Sequence, residues 1–258
     1  MTAALALGVS LAATLLSWAM GAVSASGALA ALLVGATVLG LLGWTGGAVL
    51  AAFFVPSTVA GRLGARRSSS SDARGERRDA IQVLTNGGAA AIGCCATLFA
   101  PELGLWILTG ALATAAADTW ATSLGALSSR EPRHLLRGQR VPRGTSGAVS
   151  LIGTLGAVVG AMLVAGTAAW LSRSYRIGLV GFLVGVGGML LDSLLGATVQ
   201  GRFYCPQCRA NSERRRHRCG SPTELTGGWR WLDNDGVNAL VTTAGGLGAA
   251  LCWVLVNR

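Results

Sequence analysis

The sequence contains no lysine, so all 21 of its basic side chains are arginine and a lysine-bearing Walker A loop is excluded. Charge of either sign is scarce. Only 12% of the 258 residues are charged, against about 25% in an ordinary soluble domain. Acidic residues number 11 and histidines two, while 52% of the chain is hydrophobic. A water-soluble core cannot absorb that much apolar sequence, and so few charges cannot cover its surface. No basic residue precedes the first apolar stretch, so no cleavable signal peptide is expected.

What the chain does contain is a succession of apolar stretches, many close to the 20 or so residues that a helix needs to cross the hydrocarbon layer. Eight spans are predicted, at 3–22, 27–42, 46–61, 79–99, 103–127, 147–171, 177–199 and 235–256. The expected fold class is therefore all-α: a polytopic integral membrane protein of about eight transmembrane helices in a single membrane domain, 1–258. Residues 43–47 give only a brief break, so the second and third spans are read either as separate helices or as one bent or re-entrant unit. The 38 glycines fit this class, because small residues let membrane helices approach closely.

A formal charge of +10 invites a nucleic-acid reading, but the placement of the arginines argues against it. Six lie within 62–78, five within 130–143 and seven within 202–230. In an eight-span chain the polar loops 62–78, 128–147 and 200–233 all fall on one side, which the positive-inside rule makes cytoplasmic, with both termini outside. The Ala/Gly-rich, all-arginine style of the sequence suggests the inner membrane of a bacterial cell.

Four anchors recur in order in the two halves. Ser17-Trp18-Ala19 echoes Thr119-Trp120-Ala121, and Ser26-Gly27-Ala28 echoes Ser146-Gly147-Ala148. The run Ser57 to Arg62 echoes Ala197 to Arg202, and Asp79, Gln82 and Asn86 match Asp235, Asn238 and Thr242 in spacing. Together they suggest two parallel four-helix units. The first-half positions matching Asp118 and Asp192 fall near Leu16 and Ala52, so the chemistry is expected to belong to the second half.

A carboxylate at membrane depth costs several kcal/mol unless it is paired, metal-bound or in a wet cavity. Asp118, with Thr119 and Thr122 beside it, and Asp192, with Ser193 and Gln200 beyond it, are candidates on this ground; a structural interhelical bond is the alternative. Asp79, Gln82 and Asn86 fall at i, i+3 and i+7, a polar stripe that forms either a pocket wall or interhelical glue. Arg140, Arg143 and the turn Gly144-Thr145-Ser146-Gly147 at the start of a span have the makings of a phosphate site, or of a plain helix cap. Asp233, Asn234, Asp235 and Asn238 cluster oxygens suited to Mg²⁺, or cap the last helix. Cys205, Cys208, His217 and Cys219 form a CxxC pair followed by HxC, four ligands of the kind structural Zn²⁺ takes, with reduced thiols as the competing reading. Cys94, Cys95 and Cys252 are expected to be packing residues.

Five ordered segments carry a resemblance: Arg78 to Gly88, Ala117-Asp118-Thr119-Trp120-Ala121, Val141 to Gly147, Asp192-Ser193-Leu194-Leu195-Gly196-Ala197, and Trp231-Leu232-Asp233-Asn234-Asp235. They resemble the transmembrane protein 19 family, long described as a domain of unknown function, which includes plant phytyl-phosphate kinase. The resemblance implies transfer of a phosphoryl group from a nucleoside triphosphate, CTP being the usual suggestion, to an isoprenoid monophosphate lipid, giving the diphosphate. The residues themselves are compatible with such a kinase: on this hypothesis Asp118, Asp192 and Asp235 hold Mg²⁺, Arg78, Arg143 and the 144–147 turn bind phosphates, and Asn86 and Gln200 orient phosphate oxygens or water. One departure is Ser123, where the family often has Glu. An ion-coupled transporter and a lipid-biosynthetic nucleotidyl- or phosphotransferase are the alternatives, and either assembly state, monomer or homodimer, fits the sequence.

Overall fold

The computed structural model describes residues 1–65, 77–212, 215–217 and 219–257. Among them are seven α-helices: α1 (Ala3–Ala19), α2 (Ala25–Ala65), α3 (Ala80–Cys94), α4 (Leu103–Gly125), α5 (Leu151–Ser172), α6 (Tyr175–Thr198) and α7 (Asn234–Val256). A single 3₁₀ turn, Cys95–Leu98, extends α3. The chain is mostly helical, but not purely so. Five short strands occupy its loops: β1 (Arg133–His134) pairs antiparallel with β2 (Ala148–Val149), and β3 (Arg202–Cys205) lies between β4 (Ala210–Ser212) and β5 (Glu224–Gly227).

The expectation of eight separate helices becomes seven because spans 27–42 and 46–61 are the two arms of α2. Gly43 breaks that helix with φ 59 and ψ −148, a conformation that needs glycine. The arms run back to back: Arg62, near the end of α2, donates from Nη2 to the carbonyl of Met20, just before its start, at 2.6 Å. Five helical segments are long and apolar enough to cross a membrane by length and composition, namely Ala25–Ala65, Ala80–Leu98, Leu151–Ser172, Tyr175–Thr198 and Asn234–Val256.

Helix α4 falls outside that set and lies at the centre, packed against α2, α3, α5, α6 and α7. Ala111, Ala113, Ala115, Ala116 and Ala117 on it are at most 1% exposed. Glycines let the neighbours touch its backbone: a Cβ at Gly160 of α5 would sit 2.9 Å from the Ala116 carbonyl oxygen, and one at Gly185 of α6 would sit 2.9 Å from Ala113 Cβ. Large apolar side chains point the other way, with Leu29 68%, Ile92 76% and Trp170 78% exposed. Small residues inside and large apolar ones outside are what a bundle solvated by lipid requires.

Following the chain through these rods brings the end of α1, both ends of α2, the start of α3, the end of α4, the start of α5, the end of α6 and the start of α7 to one end of the bundle. The described parts of the three arginine-rich loops meet there, around a common cavity. Within the loop 62–78, residues 66–76 lie outside the described residues, as do Arg214 and Arg218 of the third loop.

Candidate functional site

The cavity holds about 720 Å³, well within the size range of small-molecule sites. Its acidic groups are Asp118, from the last two turns of α4, and Asp192, from the last two turns of α6. Four arginines face them: Arg62, Arg78, Arg143 and Arg202. Gln82, Asn86, Thr119, Thr122, Ser193, Gln200 and Asn234 complete the polar lining, together with the turn Gly144, Thr145, Ser146 and Gly147. Most of the residues singled out in the sequence thus face one space.

Arg78 is fixed by its backbone and its side chain. Its N–H donates to the Ala22 carbonyl at 3.0 Å and its carbonyl accepts from Ser24 N at 2.9 Å, while the guanidinium lies 5.8 Å and 5.6 Å from the ring centres of Phe53 and Phe54. Cation–π contact of this kind helps to fix the guanidinium, and Arg78 is among the residues that line the cavity.

The turn 144–147 is built on glycine. Gly144 has φ +81 and Gly147 φ +75, and a Cβ on Gly147 would collide with the backbone of Ala197 at the end of α6. Gln200, 3% exposed, donates from Nε2 to Ser146 Oγ at 3.3 Å. These contacts seat the turn directly on α6, two helical turns from Asp192. The turn is not a helix N-terminus, however. Ala148–Val149 pair with β1, and Ser150 caps α5 by accepting from Gly153 N at 3.1 Å, so the helix begins at Leu151 rather than at residue 147.

Five sequence candidates stand outside the lining. Asp79 caps α3: its Oδ1 accepts from Gln82 N at 2.9 Å, and Gln82 Oε1 accepts from Asp79 N at 3.3 Å. Asp233 caps α7, accepting from Gly236 N at 3.0 Å. Asp233 thus caps α7 as Asp79 caps α3, whereas the anchor read from the sequence set Asp235 against Asp79. Arg140 is exposed and bridges to the backbone of Arg133. Asp235 sits in the first turn of α7, and Asn238 is buried within that helix at 3% exposure. Asn234 does reach the cavity, and its buried Nδ2 has no hydrogen-bond partner among the described residues.

Several lining residues were not among the sequence candidates. Ser57, Thr58, Arg62 and Arg202 belong to the recurring anchors, and that recurrence was the signal that could have found them. Asn211, Ser212 and Thr226 come from the small sheet and left no signal. Ser123 is 8% exposed and lines the cavity, its backbone packed against Gly64.

A second cluster lies in the sheet, where the ligand atoms of Cys205, Cys208, His217 and Cys219 are all within 4.8 Å of one another. Cys205 Sγ is 3.7 Å from Cys219 Sγ, and His217 Nδ1 is 3.3 Å from the latter. The hydrogen bond from His217 pulls the Cys219 thiol down to about 6. That to Cys219 pushes Cys208 up to about 11. The remaining cysteines lie elsewhere: Cys94 is in the core and the half-buried Cys252 packs against the same cluster, as expected, whereas Cys95 is exposed rather than packed.

A membrane protein of Methanocaldococcus jannaschii is 31% identical over 149 residues, covering 58% of this chain and 63% of that one. Protein PGR of Arabidopsis thaliana is 29% identical over 83% of each chain. Protein VTE6, chloroplastic, from the same plant is 27% identical over 88% of this chain and 64% of its own. The chain thus spans less than two thirds of the archaeal protein and of VTE6. No solved structure matches it. The integral membrane protein family DUF92 matches residues 8–246, and the chain belongs to that family, the one that its five motifs resemble.

Proposed function

We propose that this protein is a membrane-embedded kinase that transfers a phosphoryl group from a nucleoside triphosphate, CTP in the first instance, to an isoprenoid monophosphate, giving the diphosphate. The observation that carries the reading is the joint lining of one cavity by two carboxylates and four arginines at one end of the bundle. Phosphoryl transfer asks a protein mainly to position anions and to offset the charge that spreads over the phosphoryl oxygens. Guanidinium groups suit that task, since each can grip a phosphate with two parallel N–H donors.

The groups around Asp118 and Asp192 that could ligate a cation are predominantly hard, namely carboxylate, hydroxyl and amide oxygens; among the described lining residues the Met189 thioether is the one sulfur and there is no imidazole. This set fits Mg²⁺, which when bound would offset the negative charge of the phosphates. Asp118 and Asp192 would hold it. Asp235, outside the lining, is left a supporting place in the first turn of α7. Arg78 and Arg143 bind and orient the two phosphate chains, and the backbone N–H groups of the 144–147 turn add neutral donors. Asn234, whose buried amide donor has no protein partner among the described residues, is placed to donate to a phosphate oxygen. The isoprenoid tail lies between apolar helices, with its phosphate at the interface.

The same location argues against alternating access. All the helix termini that form the cavity belong to one end, whereas a carrier needs its acids reachable from both sides. Both halves of the chain run through four rods in the same order of directions, α1, the arms of α2 and α3 in one, α4 to α7 in the other. This supports eight membrane crossings and a parallel repeat in which only the second half kept carboxylates; Leu16, the counterpart of Asp118, is 62% exposed on the apolar surface. The positive-inside rule then makes the cavity end cytoplasmic, in the inner membrane of a bacterium.

The test is to incubate the protein in nanodiscs with Mg²⁺, CTP or ATP, and phytyl, geranylgeranyl or polyprenyl monophosphate, and to measure diphosphate. Product that disappears in Asp118→Ala and Asp192→Ala is the expected result. Lipid binding without product from any pair would overturn the kinase in favour of a carrier or another acceptor.

A further inference from the structure

The geometry points to a structural Zn²⁺ site at Cys205, Cys208, His217 and Cys219 that clamps the three-stranded sheet beside the cavity, so that a metal outside the cavity sets the position of Arg202, Asn211, Ser212 and Thr226 within its lining.

Distances agree with that chemistry. With Zn–S of about 2.3 Å and Zn–N of about 2.0–2.1 Å, the edges of a tetrahedron are about 3.8 Å between two sulfurs and about 3.5 Å between nitrogen and sulfur. The structure has 3.7 Å between Cys205 Sγ and Cys219 Sγ, and 3.3 Å between His217 Nδ1 and Cys219 Sγ. All four ligand atoms lie within 4.8 Å of one another, so a central ion reaches them with little movement. Three thiolates and an imidazole are soft to borderline donors, which select zinc over Mg²⁺. The two metals therefore have separate sites.

The backbone is arranged for the same purpose. Cys205 ends β3, and the turn Cys205-Pro206-Gln207-Cys208 closes the hairpin with β4, its Cys208 N–H donating to Cys205 Sγ at 3.5 Å. A second tight turn presents the other two ligands: Gly220 N donates to the His217 carbonyl at 2.9 Å and His217 N to the Ser221 carbonyl at 3.0 Å. His217 is 5% exposed and Cys205 fully buried, while Cys208 and Cys219 face outward. One side of the ion is thereby shielded and the other left to a loop.

The sheet itself supplies an independent reason. Its strands have four, three and four residues, shorter than most strands that are stable without a staple. Yet three of those strands carry cavity residues: Arg202 on β3, Asn211 and Ser212 on β4, and Thr226 on β5. A metal that ties β3 to His217 and Cys219, from which the chain leads into β5, restrains all of them together.

The experiment uses the full chain purified in detergent without chelator, with bound metal measured by inductively coupled plasma mass spectrometry. One zinc per chain is expected in the wild type and in Cys95→Ser, with loss of at least tenfold in Cys208→Ser and Cys205→Ser. Because those variants could fail by unfolding, cobalt exchange into the wild type gives a second readout: intense visible bands of tetrahedral, thiolate-bound Co²⁺ are expected. Trypsin cleavage after Arg209, Arg215 or Arg216 should be slow with zinc and at least tenfold faster after chelation. Wild-type protein that stays zinc-free after incubation with the metal overturns the site. Zinc that binds without changing cleavage overturns the clamp. Neither readout depends on kinase activity, so failure of that reading would leave this one standing.

Discussion

The indole N–H of Trp120 donates to Ser57 Oγ at 3.2 Å, joining α4, two residues beyond Asp118, to the second arm of α2. The bond joins the two halves of the chain beside the cavity: Ser57 lines it, and Trp120 lies between the lining residues Thr119 and Ala121. Trp120→Phe keeps most of the ring's bulk and removes the donor. It should cost about 1 kcal/mol, the net worth of a partly buried hydrogen bond, read as a lower midpoint of thermal unfolding in detergent. The larger effect expected is on KM for the lipid phosphate, because the lining at Ser57 moves relative to Asp118.

Asp118→Asn and Asp192→Asn should each reduce diphosphate formation by about a hundredfold or more, the scale on which charge-stabilising groups act. Thermal stability should be unchanged or higher, since a carboxylate at this depth is costly to keep. A structural interhelical pair would behave oppositely, with lower stability in both variants, and thermal unfolding separates the two readings.

Gly147→Ala introduces a Cβ into the backbone of Ala197 and places an L residue at φ +75. Gly138→Ala shares the positive φ, +65, but meets nothing within 4 Å. The Gly138 variant should therefore lose about 1 kcal/mol of stability to backbone strain, while the Gly147 variant loses more and also loses activity. Comparing unfolding midpoints with turnover checks both parts.

Asp79→Ala and Arg143→Ala separate capping from binding. Removing the Asp79 capping box should cost about 1 kcal/mol with KM unchanged, because Asp79 lies outside the lining. Arg143→Ala, on an exposed loop that lines the cavity, should leave stability unchanged and raise KM for the nucleotide or lipid phosphate about tenfold, the loss of one charge-assisted contact.

The spans and the gathering of arginines were legible because both are one-dimensional signals: runs of apolar residues, and charge placed between them. The site was legible in part. Asp118, Asp192, Asn86 and Gln200 are polar residues in apolar surroundings, and such residues announce themselves. Asp79 and Asp233 announce themselves equally, yet both turn out to be N-caps, since an acid before a helix has the same sequence signature whether it caps or catalyses. The start of α5 was misplaced by four residues because pairing of Ala148–Val149 with Arg133–His134 is a contact across fifteen positions that no local pattern reports.

By itself, the sequence determined that this chain is an integral membrane protein and that most of its arginines fall in three loops between apolar spans, because hydropathy and charge act on each segment alone. It also determined the family, through five motifs in order. The tertiary structure decided which polar residues meet. Gly43 folds α2 back on itself and brings Arg62 to Met20; Gly147 seats the 144–147 turn on α6; and the small sheet carries Arg202 and Asn211 to the cavity. Each of these is a close approach of backbones far apart in the chain. Only three-dimensional packing reveals which glycine permits it and which side chain fills the space beside it.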